Sequence, residues 1–172
     1  PFEGADAVSA AKFDLAKVFH RTVRRAPAAG PARFTKTAAW DPVIQTITDA
    51  VSITSVTANV QRLQDFETRY ATHDSCQAAT NWIKAEFESF GIDSVYFHNF
   101  SGSYKDNVVA VIPGVGSPEK IVLIGGHYDS TTPDDNHAPG ADDDASGTSC
   151  ALECARVLAG HQFNYTLMFA TF

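Results

Sequence analysis

The feature that most restricts the fold is an apolar segment at residues 165–172, with the sequence YTLMFATF. Apolar and polar residues do not alternate along it, and such a run is typical of a strand buried on both sides. A strand of this kind needs a paired strand on each side. We expect such neighbours, and the elements that follow the strand, to lie outside this chain. The segment therefore predicts an α/β fold whose C-terminal part is missing from these 172 residues.

Patterns before this segment complete the fold prediction. Apolar residues at helical spacing occupy 56–70 and 78–90, and Gly91 is well placed to end the second helix. A third helical pattern covers 145–159. Three short segments rich in strand-forming residues lie between these helices, at 94–100, 107–113 and 120–125. This order predicts a three-layer α/β domain with a mixed, mostly parallel sheet and helices on both faces.

Charge divides the chain into two regions. Residues 1–40 hold seven Lys/Arg and three Asp/Glu, whereas residues 41–172 hold six and seventeen. The first region is rich in alanine, carries one helical pattern over about 5–24 and ends near a linker-like segment at 26–31. We interpret residues 1–40 as a basic N-terminal extension, either a propeptide-like segment or a solvated helix.

The net charge and the lengths of the apolar runs argue against two classes of partner. The formal net charge of −7 disfavours general affinity for nucleic acid. No apolar run approaches the roughly 20 residues that span a membrane. We therefore expect neither a nucleic acid nor a membrane among the partners.

A histidine and an aspartate follow the apolar segment 121–124 after two glycines. Side chains alternate along an extended chain, so His127 and Asp129 point to the same face. A metal-binding histidine usually donates its other ring N–H to a carboxylate, which fixes the tautomer. The pair can therefore supply a metal ligand and the group that orients it, although a histidine at a strand end is more often structural.

An acidic turn, PGADDDASG at 139–147, leads into the third helical pattern. Three adjacent carboxylates repel one another, and a cation among them relieves that repulsion. The alternative is that these aspartates only cap the helix, for which one carboxylate is enough. The spacing differs from that of an EF-hand loop. The turn favours a metal site.

The two motifs, in this order and at this spacing, resemble peptidase family M28, a family of zinc peptidases. The resemblance extends over about residues 44–172 and is strongest to secreted bacterial and fungal aminopeptidases of leucine-preferring type. It makes residues 41–172 the N-terminal portion of a catalytic domain.

The resemblance also implies a role for each site residue. His127 is similar to a ligand of one zinc, and Asp129 to the carboxylate of the catalytic site that orients this histidine. Asp143 is similar to the carboxylate that bridges two zinc ions, and the peptide bond that follows it is cis in the family. Asp142 and Asp144 are interpreted as turn and cap residues.

The function implied is that of a secreted metallo-aminopeptidase, with two Zn²⁺ per complete site, which releases N-terminal amino acids from peptides. In the family the general-base glutamate and the other ligands follow the strand that matches 165–172. We therefore expect a C-terminal segment or a second chain to complete the site, and this chain alone to be inactive.

Two other functions remain open. The chain resembles, less closely, the single-zinc glutaminyl cyclases, whose acidic turn differs. It is also compatible with a catalytically dead, peptidase-like binding or structural module. The presence of His127, Asp129 and Asp143 together favours the peptidase, because a binding module has no need of them.

Overall fold

The computed structural model describes residues 41–100 and 102–172. The predicted basic extension, residues 1–40, lies outside the described residues together with its helix over about 5–24. The division between this extension and a catalytic domain therefore stays a prediction. In the part of the chain that the structure describes, no helix is long and apolar enough to cross a membrane.

Within the described residues, three helices precede the first strand: α1 (Pro42–Asp49), α2 (Ile53–Gln64) and α3 (Asp74–Ser89). The helix α1 buries none of its residues. Ser52 caps α2, since its side chain accepts a hydrogen bond from the Ser55 amide at 3.2 Å. After α3, Gly91 has a φ of 80°, and it ends that helix as predicted.

The helix predicted over residues 56–70 extends further than the observed α2. The helical spacing continues to Tyr70, whereas α2 ends at Gln64. Glu67 adopts a left-handed φ of 61°, which no helix can accommodate. Phe66 therefore reaches the hydrophobic core from the segment that follows the helix, where it still packs at 6.5 Å (ring centroids) from Trp82.

Four strands and one more helix follow: β1 (Ser94–His98), β2 (Asn107–Ile112), β3 (Ser117–Gly126), α4 (Ser146–Leu158) and β4 (Tyr165–Thr171). The four described strands form one sheet in the order β1-β2-β4-β3. β3 and β4 are parallel, whereas the pairs β1/β2 and β2/β4 are antiparallel. The mixed α/β sheet is confirmed. It has fewer parallel pairings than expected here, because β1 and β2 are joined by a loop rather than by a crossover helix.

The strand β4 has both of its neighbours within this chain, contrary to the expectation from its sequence. It lies between β2 and β3, and every residue from Thr166 to Thr171 is buried. The crossover β3-α4-β4 delivers it there. In the described part of the sheet β1 and β3 are the edge strands, and Val122 and Leu123 of β3 are each 43% exposed.

The core lies between the helices and one face of this sheet. The helices α3 and α4 contact each other as well as the sheet, so they cover the same face. Phe87 of α3 packs against Phe169 of β4, with ring centroids 6.3 Å apart. The same cluster includes Ile83, Val108, Leu152, Ala155 and Leu167. The described residues thus form two of the three expected layers.

Candidate metal centre

The structure brings the three predicted site residues together directly after β3. The His127 imidazole lies between two carboxylates: its Nδ1 is 3.0 Å from Asp129 Oδ1, and its Nε2 is 2.9 Å from Asp143 Oδ1. Nδ1 also lies 3.2 Å from the Asp129 carbonyl. The alternation of side chains at the strand end therefore has the predicted effect, and one ring nitrogen faces the acidic turn.

Gly126 allows the start of α4 to approach the strand end. A Cβ at this position would lie 2.7 Å from the Gly147 carbonyl carbon, 2.8 Å from the Thr148 amide nitrogen and 2.9 Å from Asp144 Oδ2. Real Cβ atoms do not come this close to backbone. The glycine before His127 thus sets how near the turn can come to the imidazole.

The acidic turn occupies Ala141–Ala145 and is closed by a hydrogen bond from the Ala145 amide to the Gly140 carbonyl at 3.1 Å. Gly140 has a left-handed φ of 48°, and a Cβ there would lie 2.6 Å from the Asp143 carbonyl oxygen. The peptide bond Asp143–Asp144 is cis, as the resemblance implies. The turn directs the Asp143 side chain towards His127, where it remains 89% exposed.

Asp144 has two roles, of which the sequence indicated one. Its Oδ1 accepts a hydrogen bond from the Gly147 amide at 2.9 Å, which confirms the predicted cap. Its Oδ2 also accepts a hydrogen bond from the His127 amide at 3.1 Å. No spacing rule predicts this second bond, because it joins residues 17 apart that meet only when β3 packs beside α4. Asp142 contributes to the turn through its carbonyl, which accepts from Ser146 Oγ at 2.9 Å.

The electrostatic surroundings favour a basic imidazole. Partial burial acts to lower the pKa of His127, because it penalises the charged ring. The hydrogen bonds and negative charge of Asp129, together with the charge of Asp144, outweigh that effect and leave the pKa raised. A carboxylate partner on Nδ1 is the arrangement that raises the basicity of metal-binding histidines.

Tyr128 anchors the end of β3 from the core side, a role that no sequence pattern indicates. Its side chain is 2% exposed, and its hydroxyl donates to the Asp106 carbonyl at 2.8 Å and accepts from Thr80 Oγ1 at 2.8 Å. Burial raises the pKa of this phenol, so it stays protonated. His127 and Asp129, on either side of Tyr128, are thereby held on the opposite face of the chain.

The donor atoms suit zinc in kind but not in number. An imidazole nitrogen and a carboxylate oxygen are both common zinc ligands. Within 41–100 and 102–172, no group of three or more His, Cys, Asp or Glu side chains is arranged to hold a metal ion. His127 and Asp143 are therefore the candidate ligands, and Asp129 is the candidate orienting group.

Comparison with known proteins agrees with this geometry. Residues 107–172 match the family model described as Peptidase family M28. A "Probable zinc metalloprotease" of Pyrenophora teres f. teres (strain 0-1) is 34% identical over 152 residues, which are 74% of this chain and 32% of that protein. A "Probable leucine aminopeptidase" of Arthroderma otae is 30% identical over 134 residues, 73% of this chain and 36% of the relative. The chain thus spans about a third of the length of these relatives.

Solved structures share the fold. LapB from Legionella pneumophila has a TM-score of 0.65 at 27% identity, covering 75% of this chain and 37% of LapB. A glutaminyl cyclase from Porphyromonas gingivalis has a TM-score of 0.58 at 26% identity, covering 72% of this chain and 46% of the cyclase. The segment that matches the family model, residues 107–172, contains both motifs and all three site residues, so the candidate site lies within the part of this chain that matches Peptidase family M28.

Proposed function

We propose that this chain supplies the first part of the active site of a zinc-dependent aminopeptidase, a hydrolase that releases N-terminal amino acids from peptides. One observation carries the proposal: His127 presents Nε2 to Asp143 at 2.9 Å while Asp129 occupies Nδ1 at 3.0 Å. The match of residues 107–172 to the M28 family model and the names of the two fungal relatives support the same activity.

We assign to Asp129 the role of fixing the tautomer of the His127 imidazole. Its carboxylate accepts the Nδ1 proton, so the lone pair of a neutral His127 lies on Nε2, towards Asp143. Asp144 keeps the turn in place through its hydrogen bonds with the His127 and Gly147 amides. Asp143 is left with an exposed carboxylate, and its two oxygens give it the capacity to bridge two ions.

His127 and Asp143 would hold zinc, which when bound would supply Lewis-acid polarisation of a peptide carbonyl and activation of water. We propose two zinc ions per complete site, for which Asp143 would be the shared carboxylate. The side chains of His127, Asp129 and Asp143 are 42%, 46% and 89% exposed within this chain.

The remaining parts of the site are assigned to residues outside these 172. Catalytic zinc sites usually have three protein ligands, and only two candidates converge in the described residues. A C-terminal segment or a second chain would add ligands and the general base, so this chain alone is expected to be inactive. A secreted location belongs to the proposal through the resemblance to secreted aminopeptidases.

Metal analysis of the full-length protein, with a paired substitution, tests the proposal. We expect about two zinc ions per molecule and hydrolysis of leucine p-nitroanilide that a chelator abolishes. His127→Ala should remove most zinc and activity. His137→Ala is the matched control, because His137 lies exposed in the neighbouring loop. A zinc-free wild type, or a fully active His127→Ala variant, contradicts the proposal.

The structural likeness to glutaminyl cyclases supports a second candidate function. The same zinc measurement separates the two candidates: one ion, with cyclisation of an N-terminal glutamine peptide, indicates a cyclase. Two ions with release of N-terminal residues indicate the aminopeptidase. A protein with neither zinc nor hydrolysis is a binding or structural module.

A further inference from the structure

Arg69 lies in the segment after α2, and its side chain is completely buried. Burial lowers the pKa of the guanidinium, yet arginine remains charged in proteins. A charge removed from water is tolerated only when its donors are satisfied. The hydrogen bonds of the Arg69 guanidinium therefore identify the segments that this side chain connects.

The guanidinium donates to four backbone carbonyls from three separate segments. Nε donates to Tyr128 at 2.6 Å. Nη1 donates to Leu63 at 2.7 Å and to Pro139 at 2.7 Å, and Nη2 donates to Gly140 at 2.9 Å. The planar fork thus joins the end of α2, the strand end and the start of the acidic turn.

Two of these segments carry the candidate zinc ligands. Tyr128 lies between His127 and Asp129, and Gly140 lies three residues before Asp143. The Gly140 carbonyl that Arg69 binds also accepts the Ala145 amide, which closes the acidic turn. A shift of the guanidinium therefore changes the position of both ligands relative to each other.

Ser130 reinforces the same connection. Its Oγ accepts the Arg69 amide at 2.9 Å and donates to the Ala138 carbonyl at 2.6 Å. The Ser130 amide in turn donates to the Arg69 carbonyl at 3.1 Å. Backbone and side chain of Arg69 thus hold the residues before the acidic turn against the residues after His127.

We propose that Arg69 is a positioning residue of the zinc site. Its guanidinium binds carbonyls of both ligand-carrying segments, its amide binds Ser130 Oγ, and both sets of bonds are needed to fix the separation of His127 and Asp143. The inference rests on the proposed function, because it assumes that these two residues hold zinc. Lysine cannot replace the guanidinium, since its single ammonium has no fork that spans several carbonyls. The alternative is that Arg69 only stabilises the fold.

Zinc affinity of the folded, metal-stripped full-length protein tests the inference, with thermal unfolding of the same samples measured in parallel. Arg69→Lys should weaken Zn²⁺ binding, measured by chelator competition, by about tenfold or more. It should also alter the visible absorption of the Co²⁺-substituted protein. Arg62→Lys is the matched control, because the Arg62 guanidinium lies over the Phe66 ring on the exposed side of α2.

A second control separates positioning from stability. Phe87→Leu loosens the core between α3 and β4 and should lower the melting temperature while leaving zinc affinity unchanged. If Arg69→Lys behaves in the same way, Arg69 only stabilises the fold and the inference is overturned. A wild type without zinc refutes the proposed function itself, which is a different result.

Ser130→Ala covers the case in which Arg69→Lys does not fold. This variant removes one acceptor for the Arg69 amide and one donor to Ala138, and leaves the guanidinium intact. We expect zinc binding several-fold weaker than in the wild type and a shifted Co²⁺ spectrum. Wild-type affinity in a folded Ser130→Ala protein would overturn the inference.

Discussion

The backbone amide of His127 donates a hydrogen bond to the side chain of Asp144 at 3.1 Å. The same carboxylate caps α4 through the Gly147 amide at 2.9 Å. One side chain therefore connects the end of β3 to the beginning of α4, and the cis peptide bond between Asp143 and Asp144 lies within this connection. The position of the candidate bridging carboxylate therefore depends on a neighbouring carboxylate that accepts two backbone amides.

Asp144→Ala should destabilise the protein. The substitution leaves the amides of His127 and Gly147 without their acceptor, and an unsatisfied buried donor costs about 1–3 kcal/mol. Urea unfolding of the metal-free protein measures this loss. Asp142→Ala is the control, because Asp142 is exposed and contributes through its carbonyl, so it should change stability by less than about 0.5 kcal/mol. Equal effects of the two variants would contradict the assigned role of Asp144.

Asp129→Asn should weaken zinc binding without unfolding the protein. The amide no longer carries the charge that favours the Nδ1 proton of His127, and partners of this kind contribute about 10- to 100-fold to metal affinity. Chelator competition measures the affinity, and kcat/KM should fall in parallel. Asp134→Asn changes a carboxylate in the exposed loop nearby and should leave both quantities unaltered. An Asp129→Asn protein with wild-type zinc affinity would show that Asp129 does not orient the ligand.

Gly126→Ala tests the close approach of α4 to the strand end. The added Cβ would meet backbone atoms of Gly147 and Thr148 at 2.7 and 2.8 Å, so the helix or the strand has to move. Overpacking of this kind costs about 1–3 kcal/mol, and the shift should also weaken zinc binding. Gly102→Ala is a matched control, because a Cβ there has nothing within 4 Å. Similar unfolding midpoints for the two variants would contradict the tight packing.

The elements that the sequence predicts well are those with a local signal. The Leu and Ala residues at helical spacing in α4, the apolar run of β4 and the glycine after α3 each specify their own segment, and the structure contains all three. His127 and Asp129 meet because alternation along a strand is also local. Asp143 joins them only through the family resemblance, since no rule of spacing relates a strand end to a turn 16 residues later.

The features that the sequence does not predict depend on contacts between distant segments. Pairing of β4 with β2 and β3 follows from the topology, so its apolar run could not show which neighbours cover it. Arg69 carries no motif, and its role becomes visible only when Leu63, Tyr128 and Gly140 lie around it. Helical spacing up to Tyr70 reflects a shared core rather than a continuous helix.

Glu153 gives a pH dependence that is independent of the metal site. Its side chain is 4% exposed, accepts the Ser52 amide at 2.6 Å and is paired with Arg156 at 2.7 Å. The hydrogen bond from Arg156 lowers the pKa of this carboxyl, and burial opposes the effect only in part. Arg156 also donates to the Ala50 carbonyl at 2.6 Å, so the pair ties α4 to the junction of α1 and α2.

The sign of the pH effect follows from this lowered pKa. Ionised Glu153 stabilises the folded state at every pH above its ordinary value of 4.5, and the contribution is lost as the pH falls through the lower, folded value. Glu153→Gln should therefore cost about 1–3 kcal/mol of unfolding free energy at pH 7 and much less near pH 3. Urea unfolding across this range measures the difference. Glu119→Gln, at an exposed position of β3, should show no such trend. A Glu153→Gln deficit that is constant from pH 7 to pH 3 would mean that the ionised carboxylate is not what connects α4 to Ser52.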